Sequence, residues 1–425
     1  MLQTLRNAWR IEEIRKKILF TLLIVLLYRI GNAIPVPFVN TALLQQYFAY
    51  LQNTALGLLD AMSGGSFSNA TIFALSIQPY INASIIIQLL CIAIPALERM
   101  SKEEGEEGRK KIASITRYST VAIGLLQGFG YYMLMKNNGI IVADASNSVW
   151  AAIIIILTFT SGSALIMWLG EQITEFGIGN GISIILFASI ISRFPNSVIT
   201  TIQNVINGSL SWWAAVLVFL GALALIVLIV FVNDAERRVP VQYAKRVVGR
   251  KMYGGQSTHL PMKVNMSGVM PIIFASSISS IPATIAAFTG HSQSAWAKTN
   301  TIPYAIIYLL LIIFFAYFYS TIQFNPIEVA NNLKKNGGYI PGFRPGKPTS
   351  EFIQRVLNKI TLFGAIYLGI IAVTPILVSH FSNAAALTGL SLGGTSIIIV
   401  VGVALETVRA IEAQMLMRNY KGFLS

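Results

Sequence analysis

The chain has 425 residues, of which 54% are hydrophobic and 11% are charged, and its formal net charge is +14. Ordinary soluble domains carry roughly 25% charged residues, so this apolar excess excludes a single water-soluble core and makes the bilayer the solvent for much of the chain. The single Cys91 excludes a disulfide framework and multi-cysteine zinc sites, and within IIIQLLCIAIP it reads as a small buried hydrophobe.

The N-terminal stretch MLQTLRNAWRIEEIRKK is basic and precedes an apolar run. It has no small-residue cleavage site and many further apolar runs follow, so it reads as a cytoplasmic amphipathic lead-in rather than a signal peptide. A helix crossing a bilayer needs about 20 mainly apolar residues. Ten windows qualify: 18–36, 73–95, 112–135, 149–169, 181–203, 212–232, 267–289, 303–323, 360–381 and 391–408. The fifth is the weakest, with Arg193 and Pro195 near its end. Between the first two lies LGLLDAMSGGSFSNATIF, apolar but broken by Gly64 and Gly65, which reads as a re-entrant piece near 56–72.

With sides alternating from a cytoplasmic N-terminus, 27 of the 31 Lys and Arg fall on one side. Only Arg29, Lys136, Arg193 and Lys298 fall on the other. The positive-inside rule then puts both termini in the cytoplasm and accounts for the net charge without nucleic acid. Five spans in 1–205 and five in 206–425 would make two oppositely inserted halves around a central pathway. The fold expected is an all-α polytopic membrane protein.

Two cytoplasmic loops, 234–265 and 324–359, are long and patterned. VPVQYAKRVV alternates as a short strand pair would, with a Gly-Gly turn, and the second loop has a turn-rich centre followed by an amphipathic helix. Topology needs only a few charges, so this length and order favour docking surfaces for a cytosolic partner or ribosomal RNA over merely solvated loops. PGKPTS is not a phosphate loop, because Pro348 interrupts it and no strand precedes it. GIGNG sits between spans, and His259, His291 and His380 are scattered, so no cofactor, metal or catalytic set is expected.

The centres of the ten windows lack Asp, Glu, Lys and Arg, unlike ion-coupled transporters, and no Ser/His or paired-Asp set suggests an intramembrane protease. Neutral polar residues do recur, among them Asn82, Gln88, Gln127 and Asn265, and Gly124 and Gly128 read as a close helix contact.

Longer blocks carry more information. IFALSIQPYINASIIIQLL, WLGEQITEFGIGNGISIILF, YAKRVVGRKMYGGQSTHLPMKVNMSGVMPIIFASSI, FNPIEVANNLKKNGGYIPGFRPG and GGTSIIIVV resemble blocks of the SecY family, in that family's order and spacing. The family comprises the pore-forming subunits of bacterial protein export. The resemblance covers nearly the whole chain and implies an hourglass channel, closed at its waist by a ring of aliphatic side chains. Matching positions are Ile77, Ile81, Ile182, Leu186, Ile273 and Ile399. Gly64, Gly65, Ser66 and Phe67 match the plug that seals the resting pore, and spans two, three, seven and eight match the lateral gate. Asn82, Gln127 and Asn265 match the gate's polar contacts, with Ser277 and Ile281 on its span-seven face and Pro271 and Pro282 loosening that span. Lys245, Arg246, Arg250, Lys251 and Arg344 match docking residues for the SecA motor or the ribosome. The same resemblance implies the membrane subunits SecE and SecG, signal sequences and nascent polypeptides as passengers, lateral release into membrane lipid, and the bacterial cytoplasmic membrane as location. The competing readings are a solute transporter, which predicts intramembrane ionisable residues, a membrane protease, which needs a catalytic set inside the spans, and a passive scaffold, which would not need a glycine-broken re-entrant segment.

Overall fold

Proline marks several of the helix boundaries. The computed structural model describes residues 2–51, 54–102, 104–142, 148–208, 211–243, 246–248, 251–253, 257–288, 301–381 and 394–421. The basic lead-in forms α1 (Leu2–Arg10), and extended Ile11 separates it from α2 (Glu12–Gly31). That helix starts earlier and stops sooner than the window 18–36, because Pro35 and Pro37 follow and Pro35 bridges to Thr71. After α3 (Thr41–Tyr50) comes the short α4 (Ala55–Met62).

The second window starts at 73, but α5 runs only over Gln78–Ala93, with Pro79 in its first turn, where a missing N–H costs nothing. The residues just before it are irregular, and Ser76 takes a left-handed φ of +51°. At the far end Ile94 is extended ahead of Pro95, and the chain turns by 106° into α6 (Pro95–Lys102). Next come α7 (Gly105–Asn137) and α8 (Val149–Phe176), packed closely as expected. A Cβ on Gly124 would lie 3.1 Å from Ser163 Oγ, and one on Gly128 would lie 3.4 Å from the Ile156 carbonyl.

The chain continues through α9 (Gly181–Ile206) and α10 (Trp212–Asp234) into the first long loop. There β1 (Glu236–Tyr243) and β4 (Ser257–Lys263) bracket a small hairpin of β2 (Arg246–Val248) and β3 (Lys251–Tyr253). The alternating strand therefore pairs beyond the hairpin, with Val239 opposite Leu260, and the Gly-Gly at 254–255 lies outside the described residues. Then follow α11 (Met270–Phe288), α12 (Ile302–Gln323), α13 (Pro326–Lys335) and β5 (Gly338–Tyr339). The tiny β5 pairs with the other edge of β1, so the two long loops build one three-stranded sheet, ordered β4-β1-β5. Its core joins Val239, Val241 and Met262 to Leu333, Ile340, Ile353 and Leu357.

In α11 Pro271 falls in the first turn, so Pro282 alone interrupts that helix; the expectation of two loosening prolines is corrected to one. The amphipathic helix and the ninth window are one continuous helix, α14 (Lys347–Phe381), and α15 (Gly394–Lys421) runs past the tenth window. A helix thus occupies each of the ten windows. By length and composition, five helices among the described residues, those beginning at Val149, Gly181, Trp212, Ile302 and Lys347, are able to cross a membrane alone, with α5–α6 a sixth only if that bent pair counts as one span. The main core draws buried side chains from α2, α5, α8, α9, α10, α11, α12, α14 and α15, and the expected pore positions belong to it or pack against it.

Candidate functional site

The six aliphatic residues singled out in the sequence meet in that one core. Ile77 caps α5, and its carbonyl accepts the Ile81 N–H at 3.1 Å, so both lie on the first turn. Ile182 and Leu186 sit in the first turns of α9, whose N-terminus is held by Asn180 Oδ1 accepting from the N–H groups of Ile182 and Ser183. Ile273 comes from α11 and Ile399 from α15. Five of the six are only 1–3% exposed, and Ile182 packs partly buried against them.

The re-entrant segment is held by many specific bonds. α4 ends at Met62, and the chain reverses through Gly64 and Gly65 at φ +72° and +87°. A Cβ on Gly64 would stand 2.7 Å from the Ser189 carbonyl of α9, so glycine is required there for space as well as conformation. Ser66 donates its hydroxyl to the Ser63 carbonyl, and Ser63 Oγ accepts the Phe67 N–H. Phe67 stacks on Tyr131 at 4.2 Å and meets Phe48 edge-on, while the Tyr131 hydroxyl donates to the Phe67 carbonyl. Sequence reasoning missed Asp60: buried on α4, it accepts the Ser68 N–H at 2.8 Å and pairs with Arg193 of α9 at 2.8 Å. A lone acidic residue in LGLLDAM was the available signal.

A cavity of about 340 Å3 adjoins this segment, and its walls include Phe67, Leu186, Asn82, Gln127 and Ile281. Plug, ring and gate candidates therefore border one space, between α4, α5, α7, α9 and α11. Asn82 is buried with its side-chain carbonyl oxygen unpartnered among the described residues. Gln78, not singled out in the sequence, donates from Nε2 to Ser277 Oγ at 3.1 Å, a buried bond joining α5 to α11. A polar residue beside Pro79 inside an apolar run was its signal.

Asn265 is separate from this group. It donates to Asn233 Oδ1 at 2.9 Å at the end of α10, where Arg409 of α15 also donates to the Asn233 carbonyl and pairs with Asp234. It belongs to a polar staple at the base of the sheet. Burial lowers the Lys263 ammonium from its ordinary pKa there, with Arg409 adding to the effect and Glu406, Asp234 and Glu236 opposing it.

Of the loop cations, Arg344 is exposed in the turn before α14, and its carbonyl accepts from Thr349 Oγ1 at 2.8 Å. Arg246 lies on β2 and Lys251 on β3, in a hairpin pairing Val248 with Lys251. Lys245 and Arg250 lie outside the described residues. Among the described residues no group of three His, Cys, Asp or Glu is placed to hold a metal ion.

Comparison with known proteins shows a family and a fold. The SecY family model matches residues 71–408. The protein translocase subunit SecY of Streptomyces scabiei is 45% identical over 442 residues, covering all of both chains. That of Mycobacterium tuberculosis is 43% identical over 448 residues, again covering both in full. A solved protein-conducting channel superposes with a TM-score of 0.67 at 17% identity, over 95% of this chain and 93% of that one. Sec61 from a canine ribosome–channel complex gives 0.63 at 15% identity, over 95% and 93%.

Proposed function

The chain belongs to the SecY family, and from that premise we propose how it conducts a polypeptide. It is an all-helical, polytopic membrane protein and a protein-conducting channel of a translocase. The observation that carries the mechanism is the single cavity bordered by plug residue Phe67, ring residue Leu186 and gate residues Asn82, Gln127 and Ile281.

In the resting state the ring of Ile77, Ile81, Ile182, Leu186, Ile273 and Ile399 excludes water and ions, because a narrow aliphatic constriction dewets. The segment at Gly64–Phe67 covers it. Opening parts α5 and α7 from α11, which breaks the Gln78–Ser277 bond and widens the cavity toward lipid. An apolar signal sequence lodges there, and the plug segment leaves so that the chain threads through the ring. Sufficiently apolar segments leave sideways into the bilayer, since each buried apolar residue favours lipid over water.

The chain supplies the path and an external motor supplies the work. SecA or a ribosome docks on the cytoplasmic sheet and its loops, through Arg344, Arg246 and Lys251, with SecE and SecG completing the membrane complex. Both termini face the cytoplasm of a bacterial cell, on the asymmetry of Lys and Arg. The test is reconstitution with SecE and SecA. ATP-dependent uptake of an unfolded preprotein into vesicles is expected, and its absence from a folded, SecA-binding complex would refute the reading.

A further inference from the structure

A connection between a strand and a helix normally runs over the surface, where water satisfies its backbone. The six residues 264–269, which join β4 to α11, do not: irregular in conformation, all of them are buried or half-buried. Three helices close on them. At the end of α10, Asn233 accepts from the Asn265 amide at 2.9 Å, and just beyond it the Ala235 carbonyl accepts the Val264 N–H at 3.0 Å. On α14 a Cβ at Gly364 would stand 2.7 Å from the Val264 carbonyl, and on α15 one at Gly402 would overlap Val269. Gly268 takes a left-handed φ of +61°, and a Cβ there would come within 2.5 Å of Glu406 Oε1, also on α15. Glu406 attracts Lys263, the last residue of β4, as well. The connection is thus gripped along its length and has no free residue about which to pivot.

We propose that residues 264–269 form a stiff joint, so that the cytoplasmic sheet and the base of α11 move as one piece, with Glu406 as the positioning residue that keeps the joint closed. This rests on the reading above, in which a partner docks on the sheet and α11 is one side of the gate. A flexible connection would let the sheet shift under a docked partner while α11 stayed where the membrane holds it. Close-packed interiors instead transmit displacement, because their contacts have no slack to take it up. Beyond the joint, α11 runs from Met270 to Pro282 without interruption. A displacement of β4 therefore arrives at Ser277, which bonds to Gln78, and at Ile281 on the gate cavity. Glu406 acts at a distance from both, through Gly268 and Lys263, and touches neither the gate cavity nor the docking loops.

The test reads the gate rather than transport. In the full complex, Cys91→Ser removes the native thiol, and Asn82→Cys with Ile281→Cys report the gate through their rate of disulfide formation under a fixed oxidant. SecA bound with a non-hydrolysable ATP analogue is expected to slow that rate at least about fivefold, the low end of couplings between distant sites. With Glu406→Ala added, the slowing should fall below about twofold, at unchanged SecA affinity and an unchanged rate without SecA. Glu406→Gln, which keeps a side chain over Gly268, should recover part of the effect. A role confined to local packing would lower thermal stability yet leave the effect of SecA on the gate intact. If Glu406→Ala fails to assemble, Asn265→Ala, which frees the joint from α10, takes its place with the same expectation. Full slowing by SecA in the variant overturns the stiff joint. No slowing in the parent, with SecA bound, overturns instead the docking and gate reading on which the joint rests, and the joint with it.

Discussion

The cavity on the gate side of the Gly64–Gly65 turn is walled mainly by aliphatic side chains with a few neutral amides and hydroxyls, whereas the one on the other side is walled by Arg29, Arg193 and amides. The same short segment therefore rests on apolar packing along one flank and on charge along the other. These two kinds of support behave differently when disturbed. Apolar packing loses energy gradually as contacts separate, while a buried charge stripped of its partner is penalised at once. On the proposed reading the charged flank holds the segment, and the gate flank is the side that gives way.

The largest effect comes from preventing the apolar flank from opening at all. Cysteines at Asn82 and Ile281, on α5 and α11 across the gate cavity, should form an oxidised crosslink that abolishes preprotein export, with reductant restoring it. Full export with the crosslink in place would refute the assignment of this cavity to the gate.

Next in size is the charged flank. Arg193→Ala strands the buried carboxylate of Asp60, which among the described residues keeps only the Ser68 N–H. Breaking a buried pair costs about 3–5 kcal/mol, and Arg193 is itself partly exposed, so the lower end is expected. About 3 kcal/mol is a factor of roughly 150 in the equilibrium between seated and released segment. Ion flux through resting vesicles should rise accordingly, and the neutral pair Asp60→Asn with Arg193→Gln should leak less than Arg193→Ala alone. Equal leakage would mean that the ion pair is decoration.

How much of this was legible beforehand divides along the same physical line. The apolar helices were readable because hydropathy is summed over many residues, and the proposed orientation rests on the placement of Lys and Arg in the same way. The ends of helices were readable only where proline spoke, as at Pro95, and were misplaced where an apolar run hid irregular chain, as at Phe73–Ile77. The union of two distant loops into one sheet could not be read, since β5 is two residues long and its pairing with β1 is set by tertiary contact alone. Within the site, the aliphatic positions came from resemblance, because periodicity gives an aliphatic residue facing a pore and one facing lipid the same appearance; the glycine break was legible in the sequence, and only its role as a plug came from resemblance. Asp60 and Gln78 needed no resemblance: each is a polar residue in an apolar run and could have been questioned on that ground. Asn265 shows the limit of that signal, since a polar residue near a span's start can also bond sideways to a loop-base partner such as Asn233.

A smaller effect is expected at the ring, where the covering segment remains in place. Ile81→Ser with Ile273→Ser removes buried aliphatic volume, costing about 2 kcal/mol or more per site, and wets the constriction. Resting ion flux should rise, though less than with Arg193→Ala, and removing the segment from Gly64 to Phe67 in the same background should raise it further. A channel that stays tight after both substitutions would place the seal elsewhere.

The smallest effect tests whether the gate flank is fastened as lightly as its chemistry implies. Ser277→Ala removes the acceptor of the Gln78 amide and nothing else of size, at a site where both partners are buried. A neutral bond of this kind contributes about 1 kcal/mol, so α5 and α11 should part about fivefold more readily. The clearest readout is export of a preprotein with a weakened signal sequence, because binding energy it lacks is then no longer needed to break the bond. Such substrates should gain several-fold in rate while a strong signal sequence, already able to open the gate, gains little. If both gain equally, the step relieved is threading through the ring rather than parting of the helices. If neither gains, the free amide of Gln78 has found water in the adjoining cavity in both states, and the bond is no fastening.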